Sequence, residues 1–312
     1  MNRKLLSVYK NGNATVSIYK DGTRVIFSRD NELDLDKPLN IDLKVSNKCK
    51  YGCAQCHEDS NQDGAYCAIE DLSFLKTMQE GAECAIGGGA LTEYPYLDDV
   101  LSFIKNECHL YANCTFNYSE IVEHYDRIKA MQDGGLIHGI GISVSVPIPC
   151  LTDDLAIKIN SLSNVVLHVI NGLFTEEHAL WIKEHIDNPK VLILGYKSFR
   201  RGESFYSTYE DTIKDNQDWL YKNLFTMKIN EYYDTICFDN LAIEQLEPYR
   251  LITDPEWKQL YQGKDGTSTM YIDAVKKEFA TNSISKKRYK LLDNIQDMFA
   301  VVKQEVEDVK LL

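Results

Sequence analysis

A strand-then-helix alternation runs from residue 40 to about residue 200 and constrains the fold more than any other feature of the sequence. Short runs rich in β-branched residues predict strands, and longer segments with helical spacing follow them. Alternation of this kind favours a parallel sheet covered by helices, either open and doubly wound or closed into a barrel. The predicted strands are residues 40–45, 83–86, 110–116, 137–146, 164–170 and 190–195.

Six such units are fewer than the eight of a complete (β/α)₈ barrel. We therefore interpret the chain as an α/β protein with a partial (β/α)₆, TIM-like barrel over residues 37–202. Residues 1–36 form an N-terminal β-hairpin in this interpretation, with runs 7–19 and 23–28 as its strands and Lys20-Asp21-Gly22 as its turn. Residues 203–312 form a C-terminal α/β extension that caps the barrel. Its predicted elements are helix 203–224, strands 235–238 and 268–272, and a terminal helix within 287–312.

Composition excludes several classes of protein. No run of about 18 apolar residues is present, so we expect no membrane partner, and the N-terminus has no apolar signal-peptide region. We expect a cytoplasmic protein, in which nine cysteines do not form a disulfide framework. The net charge of −13 makes duplex nucleic acid an unfavourable partner.

Three cysteines directly after the first predicted strand indicate a metal site. Cys49, Cys53 and Cys56 form a C-x3-C-x2-C run, in which one loop can present three thiolates to a single [4Fe–4S] cluster. Three ligands for four irons leave one iron open. The alternative is a structural zinc site, but such a site needs four ligands and His57 is poorly placed to be the fourth. The other six cysteines have no ligand spacing.

Three glycines, Gly87, Gly88 and Gly89, end the second predicted strand. Without side chains, they would let backbone groups approach a small ligand closely. The alternative is an ordinary turn between a strand and a helix. Their position favours a ligand site, because they follow the strand next to the cysteine motif.

The cysteine motif and the glycine-rich strand end together resemble the radical S-adenosylmethionine (radical SAM) superfamily over about residues 40–202. The resemblance implies a [4Fe–4S] cluster whose open iron is chelated by S-adenosylmethionine. It also implies an enzyme that cleaves S-adenosylmethionine reductively, so that a 5′-deoxyadenosyl radical abstracts hydrogen from a substrate. An electron donor such as flavodoxin or ferredoxin would be needed. The substrate is unidentified; we favour a peptide or protein, because the C-terminal extension could cap a large substrate.

The resemblance further implies a set of residues that contact the cofactor, most of which also have an ordinary structural explanation. These explanations are a helix cap for Asn117, sheet-face hydroxyls for the serines, a core residue for His168 and a solvated charge cluster for the basic residues. The set is Gln55, Gly87, Gly88, Gly89, Asn117, Ser143, Ser145, His168, Lys197 and Arg201.

Two positions depart from the family pattern. Gln55 stands where the family usually has an aromatic residue before the third cysteine, and Ala90-Leu91 follows the glycines in place of Glu or Asn and then Pro. These departures support an alternative hypothesis. In it the chain is a non-enzymatic iron–sulfur or zinc protein that acts as a redox sensor or binding module.

Overall fold

The computed structural model describes residues 4–30 and 32–310, and it has a mixed α/β fold with two separate β-sheets. The smaller sheet has three antiparallel strands in the order β1-β2-β3. The larger sheet has ten strands and is mostly parallel. The outermost residues of the predicted terminal units, 1–3 and 311–312, lie outside the described residues.

The small sheet corrects the predicted N-terminal hairpin. Its strands are β1 (Leu5–Asn11), β2 (Ala14–Tyr19) and β3 (Arg24–Ser28). The predicted single strand over residues 7–19 is wrong, because a tight turn divides it at Gly12. Gly12 has φ +57°, and a Cβ there would lie 1.8 Å from the Asp34 carbonyl oxygen, so only glycine fits. The Asn11-Gly12 pair is typical of a two-residue hairpin turn, so the sequence contained a signal for this turn.

The large sheet contains every strand predicted from residue 40 onward. Its order is β10-β9-β8-β7-β6-β5-β4-β11-β12-β13, with parallel pairing from β10 to β11 and antiparallel pairing beyond. The strands are β4 (Asn40–Ser46), β5 (Glu83–Gly88), β6 (Tyr111–Asn117), β7 (Gly139–Ser143), β8 (Val165–Ile170), β9 (Lys190–Leu194), β10 (Thr235–Phe238), β11 (Thr269–Asp273), β12 (Glu278–Ala280) and β13 (Tyr289–Lys290).

Helices connect successive parallel strands from β5 onward. Those between β5 and β10 are α1 (Leu97–Asn106), α2 (Tyr118–Asp133), α3 (Asp153–Ser161), α4 (Glu176–His185), α5 (Arg201–Thr208) and α6 (Glu210–Ile229). Two more, α7 (Asn240–Leu246) and α8 (Asp254–Leu260), lie between β10 and β11, and α9 (Ile295–Lys310) follows β13. The predicted helix over 203–224 is two helices, because the backbone leaves helical geometry at Tyr209. Within residues 4–30 and 32–310, none of the helices is long and apolar enough to cross a membrane.

The two faces of the parallel sheet differ in polarity. On β6, Ala112, Cys114 and Phe116 are buried, whereas the alternate side chains of Asn113 and Thr115 are only half-buried. Strand periodicity puts these two sets on opposite faces. The first set belongs to the hydrophobic core. The second set faces a large cavity.

The small sheet covers the edge of the large sheet where the parallel strands begin. The Ser7 hydroxyl donates to the Gly81 carbonyl over 2.9 Å, just before β5. Arg24 pairs with Glu83 at 3.5 Å, and the Lys190 ammonium at the start of β9 donates to the Asp21 carbonyl over 2.6 Å. The opposite edge, where the strands end, carries the cysteine motif.

Candidate functional site

The cysteines lie on a loop that is closed at its base. We call residues 47–62, which follow β4, the cysteine loop. The Cys49 amide donates to the Asn61 carbonyl over 2.8 Å, and the Asn61 amide donates back to Asn47 over 3.1 Å. Within the loop, the Cys56 amide donates to the Cys53 carbonyl over 3.2 Å. These bonds hold the three cysteines in one compact segment at the carboxyl edge of the sheet.

Two of the three predicted ligand-site glycines pack against the entry to this loop. A Cβ on Gly88 would lie 2.1 Å from the Ser46 carbonyl oxygen, and one on Gly89 would lie 1.9 Å from the Lys48 carbonyl oxygen. Gly88 also has φ +124°, a conformation that favours glycine. Gly87 is different, because a Cβ there would meet no atom within 4 Å. The glycines therefore bring the end of β5 against the loop, and Gly87 alone borders open space.

The basic residues after β9 bind the cysteine loop. Arg200 donates to the Glu58 carbonyl over 2.8 Å, and Arg201 pairs with the Asp59 carboxylate at 3.0 Å and donates to the Ser60 carbonyl. Lys197 donates to the Ser283 hydroxyl over 3.0 Å. The ordinary explanation offered from the sequence, a solvated charge cluster, does not describe these side chains.

A buried cluster of charged side chains also holds the cysteine loop against the sheet. Lys44, on β4, is 2% exposed, and its ammonium lies 2.7 Å from a carboxylate oxygen of Glu58 and 3.3 Å from one of Asp273. The Tyr271 hydroxyl donates to Glu58 over 3.1 Å. Buried charges need such partners, because an unpaired one is costly. Glu58, two residues beyond Cys56, is thereby fixed between β4 and β11.

The three thiols are free, half-buried and close enough to affect one another. Burial raises the pKa of Cys49 and of Cys53, and negative charge on Cys56 would raise both further. Among residues 4–30 and 32–310, no three His, Cys, Asp or Glu side chains are already arranged around a metal position. The thiols would have to converge to bind one. As a donor set they suit an iron–sulfur cluster, which takes soft thiolate ligands.

Asn117 caps a helix and also lies beside one of the three cysteines. Its side-chain oxygen accepts from the Ser119 amide over 2.9 Å and, with Glu120, forms a capping box at the start of α2. Its side-chain nitrogen lies 3.8 Å from the Cys53 sulfur, as a donor to it. The structure therefore supports the helix-cap explanation and brings Asn117 to the cysteine loop at the same time.

The two serines predicted as cofactor contacts lie in different environments. Ser143, at the end of β7, is half-buried on the cavity-facing side in register with His168. Ser145 is buried, and its hydroxyl accepts from the Ile170 amide over 2.7 Å. That bond ties the segment after β7 to β8, so Ser145 serves the fold.

His168 and Gln55 lie in different surroundings. His168 faces the cavity from β8; burial and then the nearby Lys197 charge lower its pKa to about 4. Its imidazole is therefore neutral at pH 7. Gln55 is half-buried in the cysteine loop, and its carbonyl oxygen would lie 3.3 Å from a Cβ on Gly202.

A cavity of about 1650 Å³ lies against the polar face of the large sheet. It extends from Glu83 near the amino edge to His168 and Lys197, and the Lys197 ammonium is 3.5 Å from the His57 ring of the cysteine loop. We call this cavity the chamber. The other predicted site residues do not line it. Asp42 and Asn113 also line the chamber, and neither was predicted as a site residue. Both are polar residues that alternate with apolar ones in a predicted strand, and this alternation was the available signal.

Comparison with known proteins gives no family assignment. A scan against protein-family models found no match, and a search of curated proteins also found none.

Proposed function

We propose that the chain is a radical SAM enzyme. The observation that carries the proposal is the cysteine loop, in which three half-buried cysteines of one short segment lie at the carboxyl edge of a parallel α/β sheet. Cys49, Cys53 and Cys56 would hold a [4Fe–4S] cluster, and the bound cluster would supply the electron that cleaves S-adenosylmethionine. Flavodoxin or ferredoxin would supply that electron to the cluster. We keep a peptide or protein as the favoured substrate.

We also propose that the parallel strands curve into a partial barrel around the chamber. Asp265, before β11, accepts hydrogen bonds from Asn240 over 2.6 Å and from Asn282 over 3.0 Å. Asn240 lies two residues after β10, which is at the other end of the parallel run. The Lys197 charge, beyond β9, also acts on Asp42 in β4. Both relations support curvature, since a flat sheet would keep these strands well apart.

The chain's own groups would orient the cofactor and exclude water, because the cofactor supplies the difficult chemistry. Arg200, Arg201 and Lys44 fix the part of the loop that directly follows Cys56. The Asn117 amide donates toward Cys53, which would stabilise negative charge on that sulfur. Gly87 leaves room beside the loop for a small ligand.

A zinc or redox-sensing protein is the second candidate for the same thiols. A closed zinc site needs a fourth ligand. The His57 ring nitrogen lies 3.5 Å from the Lys197 ammonium and 3.6 Å from a Glu58 carboxylate oxygen. His57 is therefore already engaged by the groups that anchor the loop, which favours the cluster.

Anaerobic reconstitution of the full chain with iron and sulfide tests the proposal. We expect about four iron atoms per chain, and formation of 5′-deoxyadenosine and methionine when S-adenosylmethionine and dithionite are added. Chromatography measures both products. Cys53→Ala should lose iron and activity, whereas Cys108→Ala, which removes a thiol after α1 outside both the cysteine loop and the chamber, should keep both.

Two results would decide against the enzyme. One is a reconstituted cluster that never cleaves S-adenosylmethionine with any reductant; this would favour the redox-sensor alternative. The other is Cys53→Ala retaining its full iron content, which would show that the ligands are misassigned.

A further inference from the structure

We propose that the chamber binds a ligand that carries a protonated amine, with the Asp42 carboxylate as its ion partner and the Asn113 side-chain oxygen as a second acceptor. The proposal rests on the radical SAM assignment only in identifying this ligand as the substrate. The binding itself does not depend on a cluster.

Strand register places the two acceptors on one row of the chamber wall. Asp42 pairs with Ala85, and Ala85 pairs with Asn113, across β4, β5 and β6. Adjacent strands are about 4.8 Å apart, so the outer two positions are separated by about 10 Å. The side chain between them is a single methyl group. This leaves room at the wall for a ligand that reaches both acceptors.

The side-chain oxygen of Asn113 is a hydrogen-bond acceptor that lacks a donor among the described residues. Its side-chain nitrogen donates to a Glu83 carboxylate oxygen over 2.9 Å, which fixes the orientation of the amide. Its side-chain oxygen is buried and has no hydrogen-bond partner among the described residues. Buried acceptors of this kind are rare and call for a donor. An ammonium or amide group of a ligand is such a donor.

Asp42 lines the chamber with a carboxylate that has only a weak existing contact. Among the residues that the structure describes, its side chain accepts one hydrogen bond, from Asn40 over 3.4 Å. By contrast, Asp239 accepts from the Gly195 amide over 2.9 Å and caps α7, and Asp265 accepts from two asparagine side chains. Asp42 therefore retains capacity for a ligand.

The charge of the chamber favours a cation. Carboxylates outnumber basic side chains among the lining residues, and Asp239 and Asp265 both act electrostatically on Asp42. Lys197, one of the basic side chains that line the chamber, acts on Asp42, and its ammonium already contacts Ser283 and His57. His168 is neutral at pH 7. A cationic ligand would relieve the repulsion among the carboxylates, and one with a negative group would increase it.

Two matched probes test the proposal on the full chain without iron or S-adenosylmethionine. Nα-acetyl-lysine amide carries the ammonium, and Nα-acetyl-norleucine amide has nearly the same shape without it. Isothermal titration calorimetry should show that the lysine compound binds at least about ten-fold more tightly. Asp42→Asn should abolish that preference. Ala85→Leu, which fills the space between the two acceptors, should weaken binding of both probes.

The control is Asp215→Asn, which removes an exposed carboxylate on α6 outside the chamber and should bind as the wild type does. Thermal unfolding of each variant establishes that it is folded. Equal affinity for the two probes overturns the proposal. So does an unchanged preference in folded Asp42→Asn, or no binding of the lysine compound at millimolar concentration. Cleavage of S-adenosylmethionine is a separate measurement, so either proposal can fail alone.

Discussion

At the scale of single residues, partners distant in the sequence decide what each predicted site residue does. Arg201 is predicted as a cofactor contact, yet its guanidinium binds Asp59 and Ser60 of the cysteine loop. Asn117 caps a helix and also reaches Cys53. Residue type and spacing indicate that such groups belong to a site. They do not identify the partner, because that depends on how distant strands and loops pack.

Asp42 gives a stability prediction with a defined dependence on pH. Burial, opposed by Lys197, raises the Asp42 pKa to about 6 from a usual value near 4. The folded protein thus binds the proton more tightly than the unfolded chain, and this contribution to stability is lost as the pH rises from about 4 through 6. Asp42→Asn, which is neutral at every pH, should therefore be more stable relative to the wild type at pH 7.5 than at pH 4.

Urea denaturation midpoints measured from pH 4 to 8 test this. Asp215→Asn, at an exposed position, should show no such trend. Since Asp42 faces the open chamber, solvent screens part of the effect. A midpoint difference between Asp42→Asn and wild type that does not change with pH would contradict the prediction.

At the scale of elements, the junction between β5 and the cysteine loop depends on close backbone contacts that Gly89 makes and Gly87 does not. Gly89→Ala would put a methyl group 1.9 Å from the Lys48 carbonyl, whereas Gly87→Ala would add one in open space. We expect Gly89→Ala to lose about 1–3 kcal/mol of unfolding free energy from overpacking. Gly87→Ala should stay within about 0.5 kcal/mol of wild type.

The same pair of variants distinguishes stability from cofactor binding. Iron content after reconstitution should fall in Gly89→Ala, because the cysteine loop is displaced, and should be retained in Gly87→Ala. If Gly89→Ala were as stable as wild type and loaded iron fully, the packing explanation for this glycine would be wrong.

Element prediction succeeds where a local pattern is long and fails where a short turn interrupts it. The strands of the parallel sheet follow from β-branched runs, and the helices α1 to α4 follow from the longer segments with helical spacing between them. The turn at Gly12 and the break at Tyr209 were missed. Tyr209 has no glycine or proline beside it to mark the break between α5 and α6, so sequence periodicity alone continues through it.

At the scale of the whole molecule, Asp265 links segments next to the two ends of the parallel run. The side-chain amides of Asn240 and Asn282 both donate to Asp265, and Asp265→Ala leaves these two donors without their acceptor. We expect a loss of about 1–3 kcal/mol in unfolding free energy. Hydrogen exchange should also accelerate in β10 and β11, which border this link, more than in β6 at the centre of the sheet.

Asp215→Ala is the matched control for that measurement, since it removes an exposed aspartate and should leave exchange unchanged. Uniform acceleration over the whole sheet in Asp265→Ala would indicate general destabilisation. In that case the hydrogen bonds of Asp265 would stabilise the whole sheet, and they would not act specifically between β10 and β11.

The sequence by itself determines the order and type of most elements and the presence of a three-cysteine loop after β4. Periodicity and motif spacing are local properties, so neighbouring residues are sufficient to specify them. Only the tertiary structure places Asp42, Asn113 and Lys197 around one chamber and binds the loop to Arg200. The physical reason is that sheet order and register bring together side chains that are far apart in the chain, and no local pattern encodes those distances.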